Sequence, residues 1–197
     1  MNAKDAIVKQ ILTALPDAKV QQVDSLGASV GQELATKGAL AIVVALLGTM
    51  IYIAFRFDFR FAFGAILSLF HDAAVTVGLV ALSGKEFSVT VLAAVLTILG
   101  YSINDTIVIF DRIRERKRLG IRETFEQSIN TSLNQTMSRT ILTSLTVFMV
   151  VLALYFFGGE VINDFAFTML VGIISGSYST VYIAAPVLVD WPGSKKK

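Results

Sequence analysis

One carboxylate is unusual because it lies inside a long apolar segment, residues 87–110. It is Asp105, and a helical rise of about 1.5 Å per residue places it roughly 9 Å from the next charged residue, Asp111. An ionisable side chain at that depth costs a few kcal/mol unless it faces a helix bundle or a water-filled cavity. We therefore expect Asp105 to be functional, and proton relay is the commonest use of such a group. The alternative is an aspartate that hydrogen-bonds a neighbouring helix for packing.

Four polar side chains lie close to Asp105 in the sequence. Ser102 and Tyr101 precede it by three and four residues, so a helix places them on its face. Asn104 and Thr106 are its direct neighbours. We expect these four residues to support the carboxylate or a water molecule bound to it.

Three more residues could take part in proton chemistry. His71 and Asp72 lie near the middle of the apolar segment 61–83, and histidine is the side chain that titrates near neutral pH. Adjacent residues on a helix point about 100° apart, so both cannot face one cavity squarely. A relay role and a packing role remain equally open for this pair.

Arg139 directly precedes the apolar segment 140–157, and taken alone it is typical of an arginine that snorkels to the membrane interface.

Composition excludes several classes of protein. Of the 197 residues 54% are hydrophobic and only 16% are charged, with a mean hydropathy of +0.68, which excludes an ordinary soluble domain. There is no cysteine, so disulfides, thiol nucleophiles and cysteine-ligated metals are excluded. The single histidine excludes a multi-histidine metal site. We predict no metal, no cofactor and no enzymatic activity.

Five apolar segments predict an all-α polytopic membrane protein. They cover residues 38–55, 61–83, 87–110, 140–157 and 165–189. The positive-inside rule places most of the 17 lysines and arginines on the inner side if residues 1–37 lie outside. We thus predict an external N-terminal part and a cytoplasmic tail, residues 191–197. The last segment carries a small-residue face that permits close helix contact: Gly172, Gly176, Ser177, Ser179 and Thr180.

The N-terminal part and one long connection complete the organisation. Residues 1–37 predict a helix up to Pro16 and a strand over 19–24, too little to bury an independent core. We interpret them as a fragment of a larger external α/β domain, preceded by a first helix that would make the spans six. The connection 111–139 is amphipathic, with apolar residues at every fourth position from Ile121 to Met137, which predicts a helix along the inner membrane surface. Its basic run, 112–118, is interpreted as a topology signal rather than a nucleic-acid site.

Several motifs together resemble the SecF family, the smaller half of the bacterial SecD–SecF accessory translocase. The strongest is YSINDTIVIFDRIRE at residues 101–115. The others, in chain order, are VDSLGASVGQE at 23–33, FRFDFR at 55–60, His71–Asp72, NQTMSRT at 134–140 and FGG at 157–159. The likeness covers residues 23 to 190. In this family a first transmembrane helix and a complete external domain would precede the matched part.

The resemblance implies a six-helix bundle of the resistance-nodulation-division superfamily and a place in the bacterial inner membrane. It implies that the proton-motive force helps preproteins to leave the SecYEG channel late in translocation, after SecA has started the push. It transfers the proton-site aspartate to Asp105 and the essential arginine to Arg139, whose guanidinium does not deprotonate in practice and so acts electrostatically. The partners implied are SecD, SecYEG, SecA, YajC, YidC, the preprotein and membrane lipid, without nucleic acid.

Other functions compete with this interpretation. A proton-coupled half-transporter of small hydrophobic molecules or lipids belongs to the same superfamily. A purely structural assembly subunit would use Asp105 only to order the bundle. An intramembrane serine protease would need Ser102 as nucleophile and His71 as base, but no oxyanion residues accompany them. An aspartyl protease would pair Asp72 with Asp105, without the glycine motif of that class.

Overall fold

The computed structural model describes residues 3–14 and 28–191, which form helices joined by short turns. The helices are α1 (Ala3–Ala14), α2 (Ala28–Arg56), α3 (Phe59–Leu82), α4 (Val89–Arg118), α5 (Phe125–Phe157), α6 (Glu160–Ser179), a π-helical segment (Thr180–Ala184) and α7 (Ala185–Asp190). No strand occurs in these described ranges. The predicted strand at 19–24 and most of the predicted tail lie outside them. The chain forms two units, residues 1–32, which contain α1, and residues 33–197.

Five helices are long and apolar enough to cross a membrane, which confirms the five predicted segments. They are α2 from Gly31, α3, α4, α5, and the continuous stretch from α6 to α7. Their outer faces expose large apolar side chains such as Leu47, Phe70, Val150 and Ile174. Apolar surface on this scale would be a binding or aggregation face in water, but it is ordinary in lipid. The protein is therefore an all-α polytopic membrane protein.

Within the larger unit, α6 is the central helix. It packs against α3, α4 and α5, while α4 also packs against α3 on one side and α5 on the other. One buried apolar cluster joins Phe61, Phe110, Ile129 and Leu188 near one end of the bundle. A second cluster joins Ile98, Val151 and Met169. The helix α2 packs from the side, for example through the buried Ile53. This arrangement brings polar side chains of α3, α4 and α5 around α6.

The connection 111–139 is arranged differently from the prediction of a separate surface helix. Residues up to Arg118 prolong α4, a short turn with Gly120 at φ +64° follows, and the rest begins α5. Thr124 and Gln127 form a capping box that starts α5, which then continues to Phe157 without interruption. No glycine or proline lies within α5, so no residue breaks the helix between the predicted surface helix, which ends at 139, and the predicted span, which begins at 140.

Two charged side chains close the turn between α4 and α5. Arg116 donates two hydrogen bonds to Glu123, from Nε at 2.9 Å and from Nη2 at 2.7 Å. These hydrogen bonds hold the pKa of the Glu123 carboxyl below its usual value. The carboxylate therefore stays ionised over the physiological pH range, and the pair fixes how α5 leaves the turn.

The last span contains a π-helical segment that the sequence analysis did not foresee. It covers Thr180–Ala184, and Pro186 follows as the second residue of α7. Proline has no backbone N–H and its ring clashes with the carbonyl four residues earlier, so a regular helix cannot pass through this point. The wider turn accommodates the proline, and such π-bulges are frequent at functional sites. Here it lies next to the buried polar residues described below.

Candidate functional site

The most extensively hydrogen-bonded carboxylate in the bundle is Asp72, not Asp105. Asp72 lies on α3, and its side chain is fully buried (0% exposed). Ser102 of α4 donates to its Oδ2 at 2.6 Å, and Ser179 of α6 donates to the same oxygen at 2.8 Å. Ser175 of α6 donates to Oδ1 at 2.8 Å. Three hydroxyl donors from two other helices therefore surround one carboxylate, and we call these four residues the Asp72 cluster.

The small-residue face of α6 makes this cluster geometrically feasible. A Cβ added at Gly172 would overlap the Ile98 side chain. A Cβ added at Gly176 would lie 3.1 Å from Ser102 Cβ and 3.7 Å from Asp72 Oδ2. The two glycines thus let α6 approach α4 closely, as the GxxxG spacing predicted. Ser175 and Ser179 are four residues apart, so both face the same carboxylate.

His71 lies at the edge of the cluster instead of inside it. Its side chain is 33% exposed, and its Nδ1 lies 3.3 Å from Asp72 Oδ1. Its ring lies 6.1 Å from that of Tyr178. The structure therefore separates the adjacent pair as the angular argument predicted, with the aspartate inside and the histidine at the rim. His71 is therefore the more accessible of the two side chains.

Thr106 links α4 to the π-helical segment. Its Oγ1 lies 3.1 Å from Thr180 Oγ1 and 3.3 Å from the Ser102 carbonyl oxygen. Thr180 donates in turn to the Gly176 carbonyl at 2.9 Å. Thr106 thus lies beside the Asp72 cluster and holds α4 to α6. Asn104 is on the exposed side of α4, away from both threonines.

Asp105 faces the opposite neighbour, α5. It is buried (5% exposed) and lies near Ser144 and the positive charge of Arg139 on α5, but no ion pair joins it to Arg139 among the described residues. Tyr101 donates to Ser144 Oγ at 3.4 Å, and Ser177 of α6 donates to the same atom at 3.0 Å. Asp105 and Arg139 thus lie on two helices that pack together, α4 and α5, and Arg139 itself is exposed.

The geometry disfavours both protease arrangements. The Ser102 hydroxyl donates to Asp72, and no hydrogen bond joins Ser102 to His71 among the described residues. Asp72 and Asp105 share no hydrogen-bonding partner there either. Among the residues that the structure describes, no group of three or more histidine, aspartate or glutamate side chains could hold a metal ion.

Comparison with known proteins identifies the family. The family described as protein export membrane protein SecD/SecF, C-terminal, matches residues 7–194, which is nearly the whole chain. The chain belongs to the SecD/SecF family. The resemblance carried by the motifs at 101–115 and elsewhere is thereby confirmed.

Relatives within the SecD/SecF family are close in sequence. The protein translocase subunit SecF of Calditerrivibrio nitroreducens is 51% identical over 168 residues, covering 84% of this chain and 55% of the relative. The protein translocase subunit SecDF of Thermus thermophilus is 44% identical over 179 residues, covering 91% of this chain and 24% of the relative. The chain therefore spans about half the length of the SecF relatives it matches and about a quarter of the SecDF relative.

A solved structure in the SecD/SecF family has the same fold. The crystal structure of SecDF from Thermus thermophilus, described as a translocon-associated membrane protein, superposes with a TM-score of 0.86 at 40% identity. The match covers 97% of this chain and 27% of that one. The arrangement of α3 to α7 is thus the membrane architecture of this family.

Sequence reasoning missed two members of these SecD/SecF polar sites. Ser144 accepts hydrogen bonds from Tyr101 and Ser177, but a lone serine in an apolar segment carries no signal of such a position. Ser175 was overlooked, although its spacing of four residues from Ser179 was visible in the sequence. Such a spacing predicts a shared face, but the partner on that face is known only from the packing.

Proposed function

We propose that this chain is the membrane bundle of a SecF subunit, which works with SecD at the SecYEG translocon. In this role it uses the proton-motive force to assist late steps of preprotein translocation and catalyses no reaction of its own. Family membership supports the proposal, and the SecDF relative, which carries both names in one protein, supports SecD as the partner.

The observation that supports the proton-driven part is the electrostatic attraction between Asp105 on α4 and Arg139 on the neighbouring helix α5. Asp105 can gain and lose a proton, whereas the guanidinium of Arg139 stays charged at any physiological pH. Protonation of Asp105 therefore abolishes its attraction to Arg139, and proton release restores it. Because the two residues lie on α4 and α5, the proton changes the free energy of the α4–α5 contact.

The other contacts of the bundle suggest which helices move. The Asp72 cluster joins α3, α4 and α6 through three hydrogen bonds of 2.6 to 2.8 Å. Between Ser144 of α5 and its neighbours, the hydrogen bonds are longer, at 3.0 and 3.4 Å. In the proposed cycle α3, α4 and α6 therefore stay together while α5 changes its position. A coupled motion of this kind needs two discrete arrangements, which α5 would supply.

Arg139→Lys tests the proposal. Lysine keeps the positive charge and can snorkel equally well, but it lacks the planar five-donor group of arginine. We expect proton-gradient-dependent preprotein export to be impaired in membrane vesicles that contain SecD and SecYEG, with normal insertion of the variant. Arg122→Lys is the matched control, because Arg122 is an exposed arginine in the preceding turn, outside the helices. Normal export by Arg139→Lys would reduce Arg139 to a membrane anchor.

We also propose that the chain lies in the bacterial inner membrane with residues 1–37 outside and its C-terminus in the cytoplasm. The chain has no cysteine, so single introduced cysteines report their own side unambiguously. We expect Glu86→Cys and Glu160→Cys to react with an impermeant thiol reagent from outside, and Arg118→Cys only from inside. These positions are exposed, and they avoid Gly84 and Gly159, whose φ angles of +69° and +76° disfavour a side chain. Labelling of all three from one side would disprove the topology.

A further inference from the structure

A concave basic surface lies where the start of α3, the end of α4 and the start of α5 meet. The cavity measures about 390 Å³, within the range of small-ligand sites, roughly 300–1,000 Å³. Four cationic side chains line it, and Asp58 is its single acidic residue. The cations are Arg60, Arg114, Lys117 and Arg118. We call this surface the basic pocket, and its excess of positive charge predicts an anionic ligand.

The cations of the basic pocket differ from neighbouring arginines in how they are paired. Outside the pocket, Arg56 pairs with Asp111 at 3.3 Å and Arg112 pairs with Glu115 at 2.6 Å. In contrast, Lys117 and Arg118 form no ion pair with any described residue. Two charges are thus left available at a concave surface while nearby ones are neutralised.

The two other cations are held less tightly by acidic groups. Arg60 reaches only the exposed carboxylate of Asp58, at 3.5 Å. Arg114 donates to a backbone oxygen, that of Arg56, at 3.0 Å. The basic run 112–118 could set the orientation of the chain in the membrane by its charge alone. That role would not require a cavity with unpaired cations in its wall.

Aromatic rings contact two of the three arginines of the pocket, Arg60 and Arg114. The Arg60 guanidinium lies 5.0 Å from the Phe125 ring centroid and 5.6 Å from that of Phe61. The Arg114 guanidinium lies 5.8 Å from the Phe57 ring. Such cation–π contacts orient a guanidinium before any ligand arrives, and they leave its N–H groups available to an oxyanion. The floor of the pocket is therefore apolar and its wall is cationic.

The position of the pocket along the helices identifies the kind of ligand. Phe59, Phe63 and Trp191 pack together near the same end of the bundle, as an aromatic belt does at a membrane interface. Phosphodiester groups of lipids lie at that depth, and basic pockets between transmembrane helices on the cytoplasmic side bind anionic headgroups. We propose that the basic pocket binds the headgroup of an anionic phospholipid of the inner leaflet, with two adjacent phosphates, as in cardiolipin, as the best match. This lipid-binding proposal depends on the membrane-spanning helices and on their proposed orientation, but it does not depend on proton-driven export.

Native mass spectrometry of the delipidated full chain in detergent tests the proposal. The probes are cardiolipin and phosphatidylcholine at equal concentration, and inorganic phosphate and a short RNA in separate samples. We expect cardiolipin to bind more tightly than phosphatidylcholine. In the double variant Lys117→Gln/Arg118→Gln we expect cardiolipin affinity to fall about tenfold or more, since each basic residue near the surface contributes on the order of 1 kcal/mol.

Arg122→Gln is the matched control, because it removes a charge from the same connection at a position that does not line the pocket. We expect Arg122→Gln to change cardiolipin affinity less than about twofold, because the Arg122 side chain is exposed and does not contact the bound headgroup. Circular dichroism verifies that the variants keep their helix content, as expected for exposed side chains. Equal cardiolipin binding by the double variant and the parent would overturn the proposal. Binding of phosphatidylcholine as tight as that of cardiolipin, or preferential binding of inorganic phosphate or RNA, would overturn it equally.

Discussion

Asp105→Asn is expected to reduce proton-gradient-dependent export to the level seen without a gradient, whereas Asp105→Glu should keep part of the activity. Asparagine has the size of the neutral aspartic acid but cannot titrate, so its interaction with Arg139 cannot change during the cycle. Glutamate keeps an ionisable carboxylate, displaced by one methylene. The measurement is preprotein export in vesicles with SecD present, and co-assembly with SecD is checked in parallel.

A packing role for Asp105 predicts the reverse order of the two variants. Asparagine would keep the size and polarity of the side chain and avoid the cost of a buried charge, so it would be tolerated, and glutamate would fit less well. Asp111→Asn provides the control on the same helix, because Asp111 is exposed and pairs with Arg56 at 3.3 Å. Exposed pairs of this kind contribute little, so export should stay normal. Full activity of Asp105→Asn in an intact complex would contradict the proton-driven mechanism.

The second large effect is expected for Asp72→Leu, and it concerns stability. Leucine has the same branched side-chain skeleton, with methyl groups in place of the two oxygens, but it is larger and has no acceptor. The hydroxyls of Ser102, Ser175 and Ser179 therefore lose their common partner in a buried environment. We expect the free energy of unfolding to fall by roughly 2–5 kcal/mol, because buried polar groups without partners are costly. Unfolding in mixed detergent micelles, followed by circular dichroism, measures the change. Asp72→Asn should lose less, because its amide oxygen still accepts.

Ser68→Ala is a suitable comparison for this experiment. Ser68 is also fully buried on α3, but its hydroxyl donates to the Ala65 carbonyl of its own helix at 3.2 Å. Its removal therefore leaves no group of another helix without a partner, and we expect a much smaller loss of stability. Equal stability of Asp72→Leu and the parent would show that the cluster does not hold α3, α4 and α6 together. Normal export at lower stability would agree with a positioning role for Asp72.

Much of this protein follows from the sequence alone. The length of each apolar segment predicts a membrane-spanning helix, because a backbone in lipid must satisfy its hydrogen bonds within the segment. Five such helices are present. The depth of Asp105 and the small-residue spacing of Gly172 and Gly176 follow from helical geometry, and all three residues are buried in the structure. The sequence motifs also indicated the SecD/SecF family, and the match of the family over residues 7–194 confirms it.

Only the tertiary structure decided which buried polar groups belong together. Asp72 and Ser179 are 107 residues apart in the chain, and local spacing cannot encode such a contact because it depends on how α3 and α6 cross. For the same reason the sequence left a relay role and a packing role open for Asp72, and the three hydroxyls around it appear only when the helices pack. The basic pocket likewise draws on three separate helix ends. The type and spacing of the side chains showed which residues could form polar sites. The packing of α6 against its neighbours determined which of them hydrogen-bond to one another.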